Sequence, residues 1–235
     1  MVYAVSDLHG YPMEDFLRLL DKAGFGPEDE LYVLGDVIDR NGDGGVGLLR
    51  WMMRQPNVEL LLGNHEAMLL GCAFLFDEVT EEAAQALRPE QMGLLHSWMS
   101  NGAEPTLRSL RALHREDPGA LGELLDYLRC APLYAGVTAG GRDYVLVHAG
   151  LGGFTPVRRL RSYSQEELLW HRPAYDERYW QDVMVVFGHT PTAYYGADCA
   201  GDMLVNDTWI DIDVGAADGK PPLLLRLDDL AAFRP

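Results

Sequence analysis

Five short constellations in this chain gather residue types that bind cations and move protons. They are Asp7-Leu-His9-Gly10, Gly35-Asp36-Val-Ile-Asp39-Arg40, Gly63-Asn64-His65-Glu66, His148-Ala149-Gly150 and Gly188-His189-Thr190. Asp7 and His9 are good metal ligands, and Gly10 permits a tight turn beside them. Asp36 has two oxygens, enough to bridge two divalent cations. Asn64 supplies a neutral oxygen, His65 can carry a proton, and Gly63 lets the backbone approach closely. Each motif alone has a plain structural explanation. A D-x-H pair arises by chance, Asp39 and Arg40 could cap a helix or pair, and a lone histidine after an apolar run is commonly a core or loop residue. Asn64 and Glu66 could serve a helix N-terminus, which is the preferred reading for Glu66. What shifts the balance is the whole set. Its Asp, His and Asn donors, without a thiolate, suit Mn²⁺, Fe or Zn²⁺. Calcium would want more oxygens and no imidazole. The donors suffice for two ions, and two ions roughly 3.5–4 Å apart can clamp the attacking and leaving oxygens of an in-line phosphoryl displacement.

Each constellation follows a short apolar run: VYAVS, LYVLG, VELLLG, DYVLV and VMVVFG. Runs of this length, rich in Val, Leu and Tyr, read as buried strands. Helical patterns over 12–23 and 45–54 separate the first three, so a β-α-β-α-β opening with parallel pairing is expected. In such sheets ligands gather outside the carboxyl ends of the strands, which would bring these distant motifs to one place. From about residue 66 to 130 the periodicity turns helical, with helices expected over 81–100, 106–116 and 119–129. Asn101-Gly102 and Asp117-Pro118 mark the breaks. Residues 67–131 are therefore expected to form a helical insertion, or cap, within a single domain spanning 1–235. MLVND, TWIDID and PPLLLRL then suggest an antiparallel portion joining the sheets.

Composition narrows the function classes. With 235 residues and 48% hydrophobic content, the chain can bury a sizeable core without disulfides or structural zinc. Cys72, Cys130 and Cys199 form no CxxC pair and are expected as buried free thiols. No signal-peptide pattern opens the sequence and no apolar run reaches membrane-spanning length, so a cytoplasmic protein without a membrane partner is expected. The net charge of −17, from 36 acids and 19 bases, argues against nucleic-acid binding. It leaves room for a small anionic substrate wherever metals or arginines reverse the field locally.

In order and spacing, the five motifs over residues 6–190 resemble those of the calcineurin-like metallophosphoesterases. More narrowly they resemble the phosphoprotein phosphatase (PPP) superfamily, including its bacterial and bacteriophage lambda-type Ser/Thr protein phosphatases. Ile212-Asp213-Val214-Gly215-Ala216 is similar to the segment that closes the bacterial and phage members, and Leu169-Trp170-His171-Arg172 to a W-x-R element of the lambda type. The resemblance implies an α/β fold, a four-layer α/β/β/α sandwich of two mixed sheets flanked by helices. It implies that Asp7, His9 and Asp36 hold one divalent metal and that Asp36, Asn64, His148 and His189 hold a second. His65 would be the general acid, Asp39 would orient it, and Arg40 and Arg172 would bind phosphoryl oxygens. Pro173 stands where relatives usually continue with a polar residue, so the Arg172 match is the looser one. Ser6 and Asn41 replace glycines common in the family. Asn tolerates positive φ, so the turn at Asn41 could survive unchanged, or the loop Asn41-Gly-Asp-Gly-Gly45 could instead alter substrate access.

The implied activity is hydrolysis of phosphomonoesters by in-line attack of a hydroxide bridging the two metals, with Ser/Thr (or dual-specificity) phosphoproteins as the expected substrates. A dinucleoside polyphosphate (diadenosine tetraphosphate) hydrolase is the alternative, since that family shares the motifs. An inactive metal-binding regulator is disfavoured because every ligand position and His65 are filled. His96 and His114 are read as structural. His171 is a candidate substrate contact through its neighbour Arg172, and the Met-rich stretch with Trp98 is read as core packing.

Overall fold

The computed structural model describes residues 1–76 and 88–235. It opens as the apolar runs require, with β1 (Val2–Val5), α1 (Met13–Ala23), β2 (Glu30–Val33), α2 (Val46–Met52) and β3 (Val58–Leu60). The three strands pair in parallel, Val5 opposite Val33 and Val33 opposite Leu60. α1 forms because Phe16, Leu19, Leu20 and Ala23 fall on one face, which is buried. It stops at Gly24, whose φ of 74° is the left-handed conformation of a helix C-terminus.

Next come α3 (Asn64–Gly71), α4 (Pro89–Ser100), α5 (Glu104–Glu116) and α6 (Pro118–Cys130). Both expected breaks are present. Asp117 caps α6, its side chain accepting from the Ala120 N–H at 3.1 Å, with Pro118 at the first helical position. The helix expected over 81–100 starts, within the described residues, at Pro89; the start of that expectation lies outside them. α5 buries Leu107, Leu110 and Leu113, and α6 buries Leu121, Leu124, Leu125 and Leu128. These side chains join Phe16, Leu19 and the outer face of β1 and β2 in one continuous apolar cluster.

The rest of the chain holds β4 (Tyr134–Ala139), β5 (Arg142–Val147), α7 (Gln165–Leu169), β6 (Val183–Phe187), β7 (Leu204–Val205), β8 (Trp209–Asp211), β9 (Leu224–Arg226) and β10 (Ala231–Phe233). Two five-stranded mixed sheets result, ordered β10-β9-β1-β2-β3 and β4-β5-β6-β8-β7. Side chains alternate between the two faces of each strand, as the period of two demands. Ala4, Leu34, Leu146, Val186 and Ile210 meet in the cluster between the sheets. Tyr3, Val5 and Leu31 face the helices, while Val145, Val185 and Trp209 face the opposite side under Tyr163, Leu168 and Tyr179. The α/β sandwich of two mixed sheets is therefore as expected, although among the described residues its last layer is the five-residue α7 and loops rather than long helices.

Three local expectations need correction. The TWIDID strand, β8, runs parallel to β6 and is antiparallel only to the short β7. β4 and β10 were not foreseen, because their sequences YAGVTA and AAF carry little of the alternation that marks a half-buried strand. Of the three free cysteines only Cys72 is buried; Cys130 is exposed and Cys199 half-buried. No described helix is long and apolar enough to cross a membrane.

Leu110 is fully buried where α5 meets the sheet helices. Leu110→Ala should lower the unfolding free energy by about 2–5 kcal/mol in denaturant titrations. A loss under about 1 kcal/mol would mean that the inserted helices are not part of this core.

Candidate metal centre

Asp7 follows β1, Asp36 follows β2 and Asn64-His65 follow β3, while His148 follows β5 and His189 follows β6. All five strands are parallel members of their sheets, so the carboxyl ends of both sheets deliver their polar residues to one place. Every one of these side chains is buried, as are His9 and Asp39. The backbone is bent to achieve this. Seven non-glycine residues among the described ones have positive φ, and six belong to the site: Asp7 (54°), His9 (43°), Asp36 (53°), Asp39 (76°), Arg40 (69°) and His189 (65°). Such conformations cost energy and persist only where the surroundings over-determine them.

Glu66 is one such restraint. Its carboxylate accepts from the backbone N–H groups of Asp36 (2.8 Å), Val37 (2.9 Å), Ile38 (3.2 Å) and Gly63 (3.1 Å). Its job is structural, as the sequence suggested, but it braces the Asp36 turn as well as its own helix. Close packing is another restraint. A Cβ on Gly35 would lie 2.5 Å from Gly63 Cα and 2.9 Å from His148 Nδ1, so only glycine fits there.

The donors form two groups that share one residue: His9, Asp36 and His65, and Asp36, His148 and His189. Asp36 turns one oxygen to each. Its Oδ2 lies 3.7 Å from His9 Nε2 and 3.8 Å from His65 Nε2, and its Oδ1 lies 3.4 Å from His148 Nε2. Asp7 Oδ1 adds to the first group at 3.8 Å from His9 Nε2. Asn64 Oδ1 adds to the second, 2.8 Å from His148 Nε2 and 2.9 Å from His189 Nδ1. The ring tautomers follow from the other nitrogens. His9 Nδ1–H donates to the Ile38 carbonyl at 3.0 Å, and His148 Nδ1–H to the Leu34 carbonyl at 2.7 Å. Both Nε2 atoms are therefore bare and point at carboxylate oxygens. Acceptor facing acceptor in a buried site is satisfied by a cation between them, and backbone carbonyls behind ligating imidazoles are the usual support for one. His189 turns its Nδ1 to Asn64 Oδ1, and its Nε2 is buried without a protein partner.

Electrostatics agree. Burial, followed by its neighbour Asp213, holds Asp7 protonated well above the usual carboxylate range; burial and then Asp7 do the same to Asp36. Burial also drives the imidazoles down, His148 to about 3 and His189 to about 2. The pocket thus disfavours protons on its imidazoles and gathers acidic groups whose charged forms no contacting cationic side chain balances. The residues present fit a pair of divalent cations.

Beside the first group stands a hydrogen-bonded pair of titratable side chains. His65 Nδ1 is 2.6 Å from Asp39 Oδ2. Asp39 is held by residues no motif foretold: Trp98 Nε1–H donates to its Oδ2 at 2.9 Å, and Thr106 Oγ1–H to its Oδ1 at 2.6 Å. Burial pushes Asp39 up to about 7 against the pull of those two donors, and burial, then Arg40, pushes His65 down to about 3. Trp98 is a core residue, as expected, whereas Met92 and Met99 of the same stretch are exposed, and the Trp98 indole also anchors the Asp39–His65 pair. Nothing in the helical segment's pattern could have shown this, because the link spans 59 residues.

Arg40 and Arg172 are exposed and line a cleft of about 150 Å³ over the donors, with Asn101, Trp170 and Asp213 at its walls. A larger hollow of about 350 Å³ lies among Glu28, Asp29, Tyr32 and Glu59, away from the donors. Asp213 was quoted from the sequence but not placed in the site. The strand-end rule that found the other residues applies to it, since it follows β8. His171 turns from the cleft and pairs with Glu177 at 2.9 Å, so its candidacy as a substrate contact falls away. The two departures from the family pattern are now explained. The Ser6 hydroxyl donates to Asp7 Oδ2. Asn41 does not take positive φ; Asp39, Arg40 and Gly42 do. Its amide instead donates to the His9 and Ala216 carbonyls at 3.0 and 3.2 Å, tying the Asp39 loop to the segment after Asp213.

Residues 1–215 match the family described as calcineurin-like phosphoesterase. A symmetrical bis(5'-nucleosyl)-tetraphosphatase from Acidovorax sp. (strain JS42) is 33% identical over 151 residues, covering 64% of this chain and 44% of that protein. Further curated relatives carry the same name. This chain thus spans about half the length of the curated relatives it matches, or less. A solved structure described as a candidate diadenosine tetraphosphatase aligns with a TM-score of 0.63 at 18% identity, covering 100% of this chain and 92% of that one. A mutant cold-active protein tyrosine phosphatase aligns at 0.57 with 19% identity, covering 99% and 76%, and at that identity shares the fold alone. The expected Ser/Thr protein phosphatase is overturned by these relatives: the chains similar in sequence are named as dinucleoside tetraphosphatases, and the motifs common to both groups could not separate them.

Metal removal tests the donor arrangement. Restoring divalent cation to stripped protein, at about 100-fold over its Kd, should add about 2.7 kcal/mol of stability per site. Trp98→Phe, which keeps the ring but loses its N–H, should retain metal, whereas Asp36→Asn should lose it. Equal depletion of both variants by elemental analysis would contradict the division of roles.

Proposed function

Because the chain belongs to the calcineurin-like phosphoesterase family, we propose that it is a metal-dependent hydrolase that cleaves the phosphoric anhydride chain of dinucleoside polyphosphates. The observation that carries the hydrolytic chemistry is the placing of Asp36 between two donor groups, one oxygen to each. The substrate class rests on the names of the relatives, and because they are longer, the activity of the whole protein is part of the proposal. In it, residues 1–235 act as one domain and 67–131 as the insertion that carries Trp98 and Thr106 to the site.

Asp7, His9 and Asp36 would hold one cation, and Asp36, Asn64, His148 and His189 the other, with Mn²⁺ first among the metals this donor set suits and Fe or Zn²⁺ next. When bound, the pair supplies Lewis-acid stabilisation of phosphoryl charge and hydroxide at neutral pH. Arg40 and Arg172, which both line the cleft, grip phosphate oxygens in the bidentate way that guanidinium allows. His65 Nε2 faces the cleft and delivers a proton to the departing oxygen, while Nδ1 stays on Asp39. An entering polyanion draws positive charge to His65, and the Asp39 carboxylate, fixed by Trp98 and Thr106, then stabilises the imidazolium.

An anhydride and a phosphomonoester differ in their demand on that proton. A departing nucleoside diphosphate is stable as an anion, whereas an alkoxide is not. His65→Ala should therefore cost about 10²–10⁴-fold on an alkyl phosphomonoester and clearly less on diadenosine tetraphosphate. With metal present, diadenosine tetraphosphate should be hydrolysed to two ADP in preference to p-nitrophenyl phosphate and to phosphopeptides. Phosphopeptide hydrolysis without turnover of the dinucleotide would refute the proposal.

A further inference from the structure

Three aromatic side chains are exposed among the described residues: Trp170 (44%), Tyr175 (57%) and Tyr194 (66%). Two of them, Trp170 and Tyr194, lie beside one arginine, whereas Tyr175 packs against Tyr195 and Trp209. Trp170 precedes Arg172 by two positions and Tyr175 follows it by three, while the Arg172 guanidinium sits 6.0 Å from the Tyr194 ring centroid. Trp170 also lines the donor cleft, its ring 6.1 Å from His189 and edge-on to it. Elsewhere the described aromatic rings are at least half covered, including Trp98, Trp209 and Phe187 in the core. Leaving large rings in water is unfavourable, and Trp170 in the cleft wall with Tyr194 beside Arg172 gives that side of a phosphate-sized cleft a chemistry that its floor lacks.

We infer that Trp170 and Tyr194 form a nucleobase-stacking shelf beside Arg172, which seats the base of a nucleotide whose phosphates enter the cleft. The inference rests on the proposed dinucleoside polyphosphate reading and adds the residues that would distinguish a nucleotide from a bare polyphosphate. The donors, Arg40 and Arg172 recognise only phosphate oxygens, which every polyphosphate presents. A flat ring with an open face is what a heterocyclic base can use, and stacking tolerates any base because each has a π-face. Arg172 stands between the two recognition modes, within reach of the phosphates on the cleft side and of the Tyr194 ring on the other. Trp170 and Tyr194 are exposed, so their replacement leaves the core intact.

The test is direct binding of ADP and of inorganic pyrophosphate to the protein as purified, by titration calorimetry. Wild-type protein should bind ADP more tightly than pyrophosphate. Trp170→Ala and Tyr194→Ala should each weaken ADP binding by roughly 5- to 150-fold, the range measured for a lost base-stacking ring, while pyrophosphate affinity moves far less. Trp170→Phe and Tyr194→Phe should retain most of the preference for ADP. Equal wild-type affinity for the two ligands would overturn the shelf, as would Ala variants with the preference intact, or Phe variants that lose as much as Ala. Because the readout is binding, failure to hydrolyse diadenosine tetraphosphate would sink the proposed reaction while leaving this result to stand or fall alone.

Discussion

A carboxylate buried away from water needs a partner of opposite charge, and in this fold Asp36 has none among the side chains that touch it. Its oxygens face the bare Nε2 atoms of His9 and His148, whose other nitrogens are committed to backbone carbonyls. With Asp7 and Asp213 close by, the centre is a set of acceptors pointed at one another. In its protein-only state burial keeps its carboxyls protonated, and a divalent cation in each gap would remove that need. Much of the local structure exists to hold this frustrated arrangement. The left-handed backbone at six site residues, the close approach of Gly35 to Gly63 and the four N–H groups gathered by Glu66 all resist its relaxation.

The two sheets divide the work. The first delivers Asp7, His9, Asp36, Asn64 and His65 from the ends of β1, β2 and β3. The second delivers His148, His189 and Asp213 from β5, β6 and β8. The spacing between the two donor groups is therefore set by the apolar layer of Ala4, Leu34, Leu146, Val186 and Ile210 packed between the sheets. Core packing thereby becomes part of the site's geometry, since a cavity in that layer would let one half shift against the other. The helices α4 and α5 contribute differently. Through Trp98 and Thr106 they fix the Asp39 carboxylate, so the setting of the Asp39–His65 pair depends on α4 and α5 while the placing of the donor residues depends on the sheets.

The strands and the donor residues at their ends were legible in the sequence because both rules act locally. A short apolar run ending in Asp, Asn or His states at once that a strand is buried and that a polar group sits at its carboxyl end. Asp213 obeys the same rule and was passed over because its strand reads as antiparallel. Trp98 and Thr106 obey no such rule; helix periodicity identifies them as inward-facing and says nothing about a hydrogen bond to a loop more than 50 residues away. Asn41 was misjudged for a related reason. Its tolerance of positive φ is a property of the residue, whereas its actual work, bonding the His9 and Ala216 carbonyls, depends on a partner from the far end of the chain. The substrate class was misjudged because the motifs encode how a phosphoryl group is handled and are silent on what the phosphoryl group is attached to.

The central claim is that Asp36 is shared by two cations. Anomalous diffraction from crystals of the Mn²⁺-loaded protein tests it most directly. Two peaks should appear, roughly 3.5–4 Å apart, with Asp36 Oδ2 on the one beside His9 and Oδ1 on the one beside His148. A single peak, or two peaks bridged by Asp213 or Asp7 in place of Asp36, would contradict the account.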